Sequence, residues 1–349
     1  MIGAPSRLVT IGGTVIGDGH PVFVIAEVGY NFNTLDEALA SVDAAAACGV
    51  DAVKFQTFRA ETLTSRFTDF PAEAGATNQF DEFKRYELSE EWHYALFARA
   101  RERGILAFST PGHRDDVDLL ERLGVPAYKI GSDDLTNLPF LAYVASTGKP
   151  IIFSTGMGTL AEVEEAVAAI RGAGNDDIVI LQCTSNYPIR DPRVVNLRAI
   201  QTFQQAFGVP VGFSDHTTSF AASLGAVALG ASVIERHFTI DKQLDVPDAF
   251  FSSDPPEMTA LTAAIRELEA SLSDGVKRPT PTELAMRRET RKSLVALADI
   301  ARGQPLTAAH VIVKRPGYGI APKLQHLAIG RRTRVDIRAD EVITWEMLE

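Results

Sequence analysis

Between Val22 and Ser271 an apolar run of four to six residues gives way to an amphipathic stretch eight times in succession, and this rhythm constrains the fold more than any other feature. The runs are Val22–Ala26, Ala52–Phe55, Leu106–Ser109, Ala127–Ile130, Ile151–Ser154, Ile178–Cys183, Val211–Ser214 and Val233–Arg236. The stretches that follow them, Thr34–Cys48, Ser89–Arg103, Asp115–Leu123, Leu138–Thr147, Leu160–Arg171, Asn196–Phe207, Ser219–Leu229 and Glu257–Ser271, read as helices. Asn33 or Thr34 and Ser89 stand where N-caps belong, and Gly49, Gly104, Gly124 and Gly148 where left-handed residues close helices. Strands that are apolar throughout belong to parallel sheets covered on both faces. Eight such units in about 250 residues fit a closed (β/α)8 TIM barrel. The alternative, an open doubly wound sheet, is announced by a Gly-rich phosphate turn, whereas Ala26-Glu27-Val28-Gly29-Tyr30 holds one Gly.

The flanks differ from this pattern. Leu8–Val15 reads as a short strand turning at Gly17–Gly19, a hairpin ahead of the barrel. After the last helix, Ser273–Arg288 carries Pro279, Pro281 and many charges and reads as a linker ending in a short helix. The segments Ser293–Ala298, Ile312–Lys314, Ala328–Arg334 and Val342–Thr344 are short and separated by glycines. The expected organisation is a barrel with its hairpin over 1–272, a linker over 273–292 and a small β-rich domain over 293–349, poor enough in core to want support from a neighbouring surface.

Composition narrows the partners. A net charge of −11 argues against nucleic acid. No run of eighteen apolar residues occurs, so no membrane span is expected. Cys48 and Cys183 lie far apart without a CxxC pair, which suits a reducing compartment, and the first residues, with Gly3, Pro5, Gly12 and Gly13, lack a leader's apolar run; the expected location is the cytoplasm.

A TIM barrel carries its active site at the C-terminal ends of its strands. Taken in order, those ends present Glu27, then Lys54 and Gln56, then Ser109 and Thr110, then Lys129 and Ser132, then Ser154, then Ser185 and Tyr187, then Ser214 and His216, then His237. Lys54 and Lys129 sit inside apolar strands, where an ammonium requires an anion. That anion is either a carboxylate such as Glu27 or Asp133, or a phosphate held jointly with the serines and threonines. His216 and His237 end successive strands that one crossover helix makes neighbours, so the two rings face one cleft beside Glu235 and Asp248, as an open two-histidine site for a divalent ion does. A phosphorylated carbon nucleophile meeting a polarised carbonyl is the chemistry such a pocket implies.

Several segments resemble the sialic acid synthases, the N-acetylneuraminate synthase family. They are Ile25-Ala-Glu-Val-Gly with Asn31-Phe-Asn33, Asp51-Ala-Val-Lys-Phe-Gln-Thr57, Phe108-Ser-Thr-Pro111, Tyr128-Lys-Ile-Gly-Ser132, Ser154-Thr-Gly-Met157, Phe213-Ser-Asp-His-Thr217 and Ile234-Glu-Arg-His-Phe-Thr239. Lys314-Arg-Pro-Gly317 with Gly319-Ile320 resembles the antifreeze-like (SAF) domain these enzymes carry. The resemblance implies condensation of phosphoenolpyruvate with an N-acyl hexosamine, N-acetylmannosamine in the type enzyme, to a nonulosonic acid and phosphate. It implies that Lys54, Thr110, Lys129, Ser132, Ser154, Ser185 and Ser214 hold phosphoenolpyruvate. It makes His216 and His237 the ligands of manganese, with magnesium or cobalt as alternatives. It further implies that Glu27, Gln56, Tyr187 and Asp248 meet the sugar, that Glu27 manages a proton, and that Arg315 of the partner subunit in a domain-swapped homodimer meets the N-acyl group.

Phe32 and Thr34 replace the family's usual His and Gly in the first loop, on the side expected to meet the sugar, so pseudaminate and legionaminate synthases are alternatives within the family. An octulosonate-phosphate-type synthase shares the barrel but lacks the C-terminal domain. A metal hydrolase wants His-x-His after the first strand, where this chain has Glu27-Val-Gly-Tyr, and a non-catalytic sugar-binding protein has no use for two buried lysines.

Overall fold

The computed structural model describes residues 8–70 and 78–349. Gly3 and Pro5, and part of the polar excursion after the second barrel strand, lie outside the described residues. The chain divides into two compact units, Met1–Ser273 and Asp274–Glu349.

The first unit opens with the hairpin β1 (Val9–Ile11) and β2 (Thr14–Ile16). Its turn is at Gly12-Gly13, both with positive φ, and not at Gly17–Gly19: what reads as one strand is both strands and their turn. Eight parallel strands follow: β3 (Phe23–Gly29), β4 (Ala52–Thr57), β5 (Leu106–Pro111), β6 (Tyr128–Ile130), β7 (Ile151–Ser154), β8 (Ile178–Cys183), β9 (Val211–Asp215) and β10 (Val233–His237). Hydrogen bonds join them in the order β5-β4-β3-β10-β9-β8-β7-β6. The last neighbours, β5 and β6, pack side by side without a hydrogen-bonded ladder among the described residues, so the barrel is nearly closed, with one seam.

Helices α1 (Leu35–Ala47), α4 (Glu90–Arg103), α5 (Arg114–Leu123), α6 (Leu138–Ala145), α7 (Leu160–Gly172), α8 (Ala199–Phe207), α9 (Ala221–Ala228) and α10 (Pro255–Leu272) are the crossovers. Two short helices, α2 (Ala60–Leu63) and α3 (Gln79–Arg85), occupy the excursion after β4. Caps start these helices where the sequence places them. Thr34, not Asn33, accepts from Glu37 N, Ser89 accepts from Trp92 N, and Thr159 with Glu162 forms a reciprocal capping box.

Strand alternation divides the side chains into two layers. Val24, Ala26, Val53, Phe55, Tyr128, Ile130, Phe153, Ile180 and Phe213 point outward into the helix-facing core. Phe23, Ile25, Ala52, Phe108, Ala127, Ile152, Val179, Leu181 and Val233 point inward, where Val9, Ile11 and Ile16 of the hairpin join them. The hairpin thus plugs the N-terminal end of the barrel. Fully buried Ile11 and Ile16 each contribute roughly 1.5–3 kcal/mol there. What remains inward at the other end is polar, and that is the site.

The second unit contains α11 (Pro281–Thr290), the antiparallel pair β11 (Ser293–Ala296) and β12 (Val311–Lys314), and α12 (Gln325–Ala328). Single bridges such as Ile300 to Ile337 and Val295 to Val342 replace longer strands, around a core that includes Leu294, Ile300, Leu306, Ile320 and Ile343. Among the described residues no helix is long and apolar enough to cross a membrane.

One buried carboxyl gives this unit-one architecture a pH signature. Asp116, in the first turn of α5, is 5% exposed and its Oδ2 has no hydrogen-bond partner among the described residues. Burial pushes it up to about 6 against two backbone N–H groups that pull it down. The folded state therefore holds this proton more tightly than the unfolded chain. Its stability contribution is complete below about pH 4 and is lost as pH rises through 6, by roughly 2–3 kcal/mol. Asp116→Asn should raise the thermal midpoint at pH 8 and flatten its fall between about pH 4 and 6; an identical pH profile in both proteins refutes the assignment.

Candidate active site

Alternation sends Glu27, Lys54, Lys129, Ser214 and Glu235 inward at one level of the barrel, and all five are at least 95% buried. Lys54 Nζ lies 2.8 Å from Glu27 Oε2 and 3.8 Å from Glu235 Oε2, while Lys129 Nζ lies 3.6 Å from Glu235 Oε1. The hydroxyl of Ser214 donates to Glu235 Oε1 at 2.9 Å, and Lys129 donates to Ser154 Oγ at 2.6 Å. Lys54 reaches Thr110 Oγ1 at 3.3 Å, and Gln56 donates to Glu27 Oε1 at 3.0 Å. Register explains the first pair, because Glu27 stands opposite Lys54 just before a bulge at Gly29.

The two lysines are not equivalent. Burial pushes both down, but at Lys54 the carboxylates of Glu235 and Glu27 outweigh it and hold the ammonium above its ordinary value. At Lys129 burial prevails over the single carboxylate of Glu235, with the charge of Lys54 adding to the depression. Burial alone would raise the Glu235 carboxyl; Lys129, Lys54 and the Ser214 hydroxyl together hold it at about 2. Lys129 is the cation with charge to spare for a further anion.

The donors such an anion needs lie next to it. Ser132 Oγ accepts from Gly156 N at 2.9 Å, and a Cβ on Gly156 would come within 2.1 Å of Ser185 Oγ and 2.7 Å of Ser132 Oγ, so the serines close on a position that tolerates no side chain. Ser185 Oγ is buried without a hydrogen-bond partner among the described residues, so it is a polar atom that could serve a bound anion.

On the other side stand the histidines, their ring centroids 5.2 Å apart. His216 Nδ1 lies 2.9 Å from the carbonyl oxygen of Thr184, which orients the ring as an Nδ1–H donor. His237 Nδ1 is 3.3 Å from Asp248 Oδ2, close enough for an ion pair but not aligned as a hydrogen bond. Among the described residues no three His, Cys, Asp or Glu side chains converge as a complete cage. His216 and His237 are the pair of imidazoles that could share a divalent ion with water or substrate oxygens. Tyr187, half exposed, packs its ring 4.2 Å from His216 and 5.8 Å from His237.

Of the fourteen residues singled out from sequence, thirteen thus join one connected cluster. The fourteenth, Arg315, is an exposed residue just after β12 in the second unit. Phe32 lines a small cleft of about 170 Å³ together with Tyr30, Tyr86 and Trp92. It is 4% exposed and packs toward Trp92 within the helix-facing core, because its loop turns that side chain inward. Thr34 is spent on capping α1. The residue of that loop near the site is Tyr30, whose phenol is pushed well up by burial and then by Asp248 and Glu27. Glu235, which couples the two lysines, was visible from sequence only as a carboxylate beside a histidine; its position in an apolar strand is the same signal that marks the lysines. A cleft of about 540 Å³ lined by Thr155, Thr184, Ser185 and Arg198 flanks this cluster.

The NeuB family model matches residues 41–277 and the SAF domain model residues 291–349. The N,N'-diacetyllegionaminic acid synthase of Legionella pneumophila is 40% identical over 95% of this chain and 96% of its own, and the pseudaminic acid synthase of Campylobacter jejuni is 38% identical over 92% and 95%. The N-acetylneuraminic acid synthetase structure from Leptospira borgpetersenii, in complex with citrate, superposes with a TM-score of 0.73 at 33% identity, covering 80% of this chain and 95% of that one. A barrel with this polar mouth, followed by a domain of the SAF type, places the chain in the NeuB family.

Proposed function

We propose that this protein condenses phosphoenolpyruvate with an N-acyl hexosamine to give a nonulosonic acid and phosphate. The observation that carries the reading is the unequal pair of buried lysines, with Lys129 under-neutralised beside Ser154, Ser132 and Ser185 and an open two-histidine pair across the pocket.

In this reading Lys129, Lys54 and the hydroxyls of Thr110, Ser132, Ser154, Ser185 and Ser214 hold the phosphate and carboxylate of phosphoenolpyruvate. Glu27, Gln56, Tyr187 and Asp248 orient the open-chain sugar so that its aldehyde carbon faces the enol methylene. A divalent ion held by His216 and His237, manganese in the first instance, supplies Lewis-acid polarisation of that aldehyde. The carbon–carbon bond forms from the enol methylene to the aldehyde carbon, and the aldehyde oxygen takes a proton. Water adds to the resulting C2 cation, and the phosphate leaves with its bridging oxygen. Glu27, with one oxygen held by Gln56 and the other 2.8 Å from the Lys54 ammonium, is the base for that water. Incubation with phosphoenolpyruvate, metal and a panel of mono- and diacylated hexosamines, read by phosphate release, tests the reading; no release with any acceptor rejects it.

We also infer a homodimer in which Arg315 serves the partner's barrel. Charge supports this: residues 274–349 hold 14 Lys and Arg against 9 Asp and Glu, a net +5, which leaves −16 for the rest. Opposite net charges of this size draw a basic domain toward an acidic barrel.

Chelation should abolish turnover and manganese restore it, and His237→Ala should lose bound metal while its thermal midpoint and circular dichroism remain those of a folded barrel. Undiminished activity in the stripped enzyme would reject the metal's role. Lys129→Met should weaken phosphoenolpyruvate binding by about 2–4 kcal/mol. Because burial depresses Lys129, wild-type binding should take up a proton at alkaline pH and weaken as pH rises, whereas Lys129→Met should bind with no such uptake. Calorimetry in buffers of different ionisation enthalpy measures both, and an unchanged affinity would make Lys129 a structural partner of Glu235 alone. Mixing Arg315→Ala with His216→Ala should restore activity in mixed dimers, each of which combines one intact barrel with one intact Arg315. Exchanged but inactive mixed dimers would confine Arg315 to its own chain.

A further inference from the structure

Immediately before each histidine, alternation turns a charged residue to the outer face of the barrel. Asp215 precedes His216, Arg236 precedes His237, and the ladder between β9 and β10 sets Arg236 opposite Asp215. Arg236 is 5% exposed and Asp215 1%. Their side chains form an ion pair of 2.8 Å between Nη1 and Oδ2.

A buried pair of this kind is retained at a desolvation penalty of several kcal/mol per ion, so the rest of its hydrogen bonding shows what it holds. Arg236 Nη2 donates to the carbonyl oxygen of Thr217 at 2.9 Å, Nη1 reaches that of Ser219 at 3.3 Å, and Nε donates to Ser253 Oγ at 2.6 Å. Asp215 Oδ1 accepts from Thr217 N at 2.8 Å, and Oδ2 accepts from Ser223 Oγ of α9 at 2.5 Å. One guanidinium therefore grips the loop that leaves His216 and the segment that returns from Asp248. That segment is joined to the end of β10, where Ser253 N donates to His237 O at 2.8 Å. Among the described residues the network also takes in Ser223 of α9.

We infer that Asp215 and Arg236 are positioning residues that set the separation and aim of the two imidazoles and of Asp248. They touch neither the pocket nor its ligands; they fix the backbone from which all three side chains project. The inference rests on the proposed metal-binding reading of His216 and His237. A planar fork with fixed donor directions is required, because an ammonium can satisfy Asp215 but cannot reach Thr217, Ser219 and Ser253 at once. Neither lysine of the phosphate side, nor any serine beside it, belongs to this network, so loosening it disturbs one half of the pocket and spares the other.

The test measures manganese binding by calorimetry and phosphoenolpyruvate binding to the metal-free protein, in wild type, Arg236→Lys, Asp215→Asn and His237→Ala. Arg236→Lys and Asp215→Asn should weaken manganese binding 10- to 100-fold, as loss of groups that orient metal ligands does, while phosphoenolpyruvate affinity stays within twofold. Where either variant fails to fold, Ser253→Ala removes one arm of the clamp without exposing a charge and should weaken manganese binding 3- to 10-fold in the same selective manner. Manganese affinity unchanged in folded variants, or manganese and phosphoenolpyruvate affinities falling by the same factor, overturns the positioning role and leaves the pair as general barrel stabilisation. Manganese retained by His237→Ala overturns the metal reading itself, and this inference with it; its loss there but not in the pair variants overturns this inference alone.

Discussion

Two ammonium groups and two carboxylates, Lys54, Lys129, Glu27 and Glu235, meet in the interior of a barrel with almost no solvent contact, and the remainder of the molecule is arranged around keeping them there. Removing four ions from water costs several kcal/mol each unless they neutralise one another. They do so, yet unevenly. Lys54 has two carboxylates, Lys129 one, and Glu235 lies between them with one oxygen outside any hydrogen bond among the described residues. Such a cluster is stable without ligand and still attractive to an anion, which a fully satisfied one is not.

Period-two alternation lets the same strands do two jobs. Each inward residue of the pocket has an outward neighbour, and on the histidine side those neighbours are Asp215 and Arg236. On the opposite side Thr57 and Ser109, which flank Gln56 and Thr110, share a hydrogen bond of 2.7 Å, and Thr57 also meets the buried His93 of α4 at 2.8 Å. Burial keeps His93 below its usual value, as a neutral ring bonded at both nitrogens requires. Polar pegs between strand ends and helices thus back the pocket on two sides, in a layer that is mostly hydrocarbon.

The barrel was legible in the sequence because its signal is local and repeated. Buried parallel strands are short apolar runs, the caps obey nearest-neighbour chemistry, and the two lysines violate the pattern conspicuously enough to be noticed. What escaped was either conformational or long-range. The hairpin turn was misplaced because two glycine pairs lay within a few residues and only backbone geometry distinguishes them. The packing of Phe32 against Trp92 has no sequence signal, because a loop has no period from which to read which side faces in. Glu235 was passed over as the lysines' partner because the pairing joins strands distant in sequence, and no spacing rule connects them. In the second unit, isolated bridges stand where continuous strands were expected, since single bridges leave no periodic trace.

The missing ladder between β5 and β6 gives the pocket a mechanical side. Along this one meridian no backbone ladder joins neighbouring strands among the described residues, although the two strands lie side by side. Thr110 stands on one lip, and Lys129 with Ser132 on the other. An anion gripped from both lips would act as a clasp across the gap, closing a hoop that the backbone leaves open, and ligand binding would then stiffen the whole cylinder and not merely its mouth.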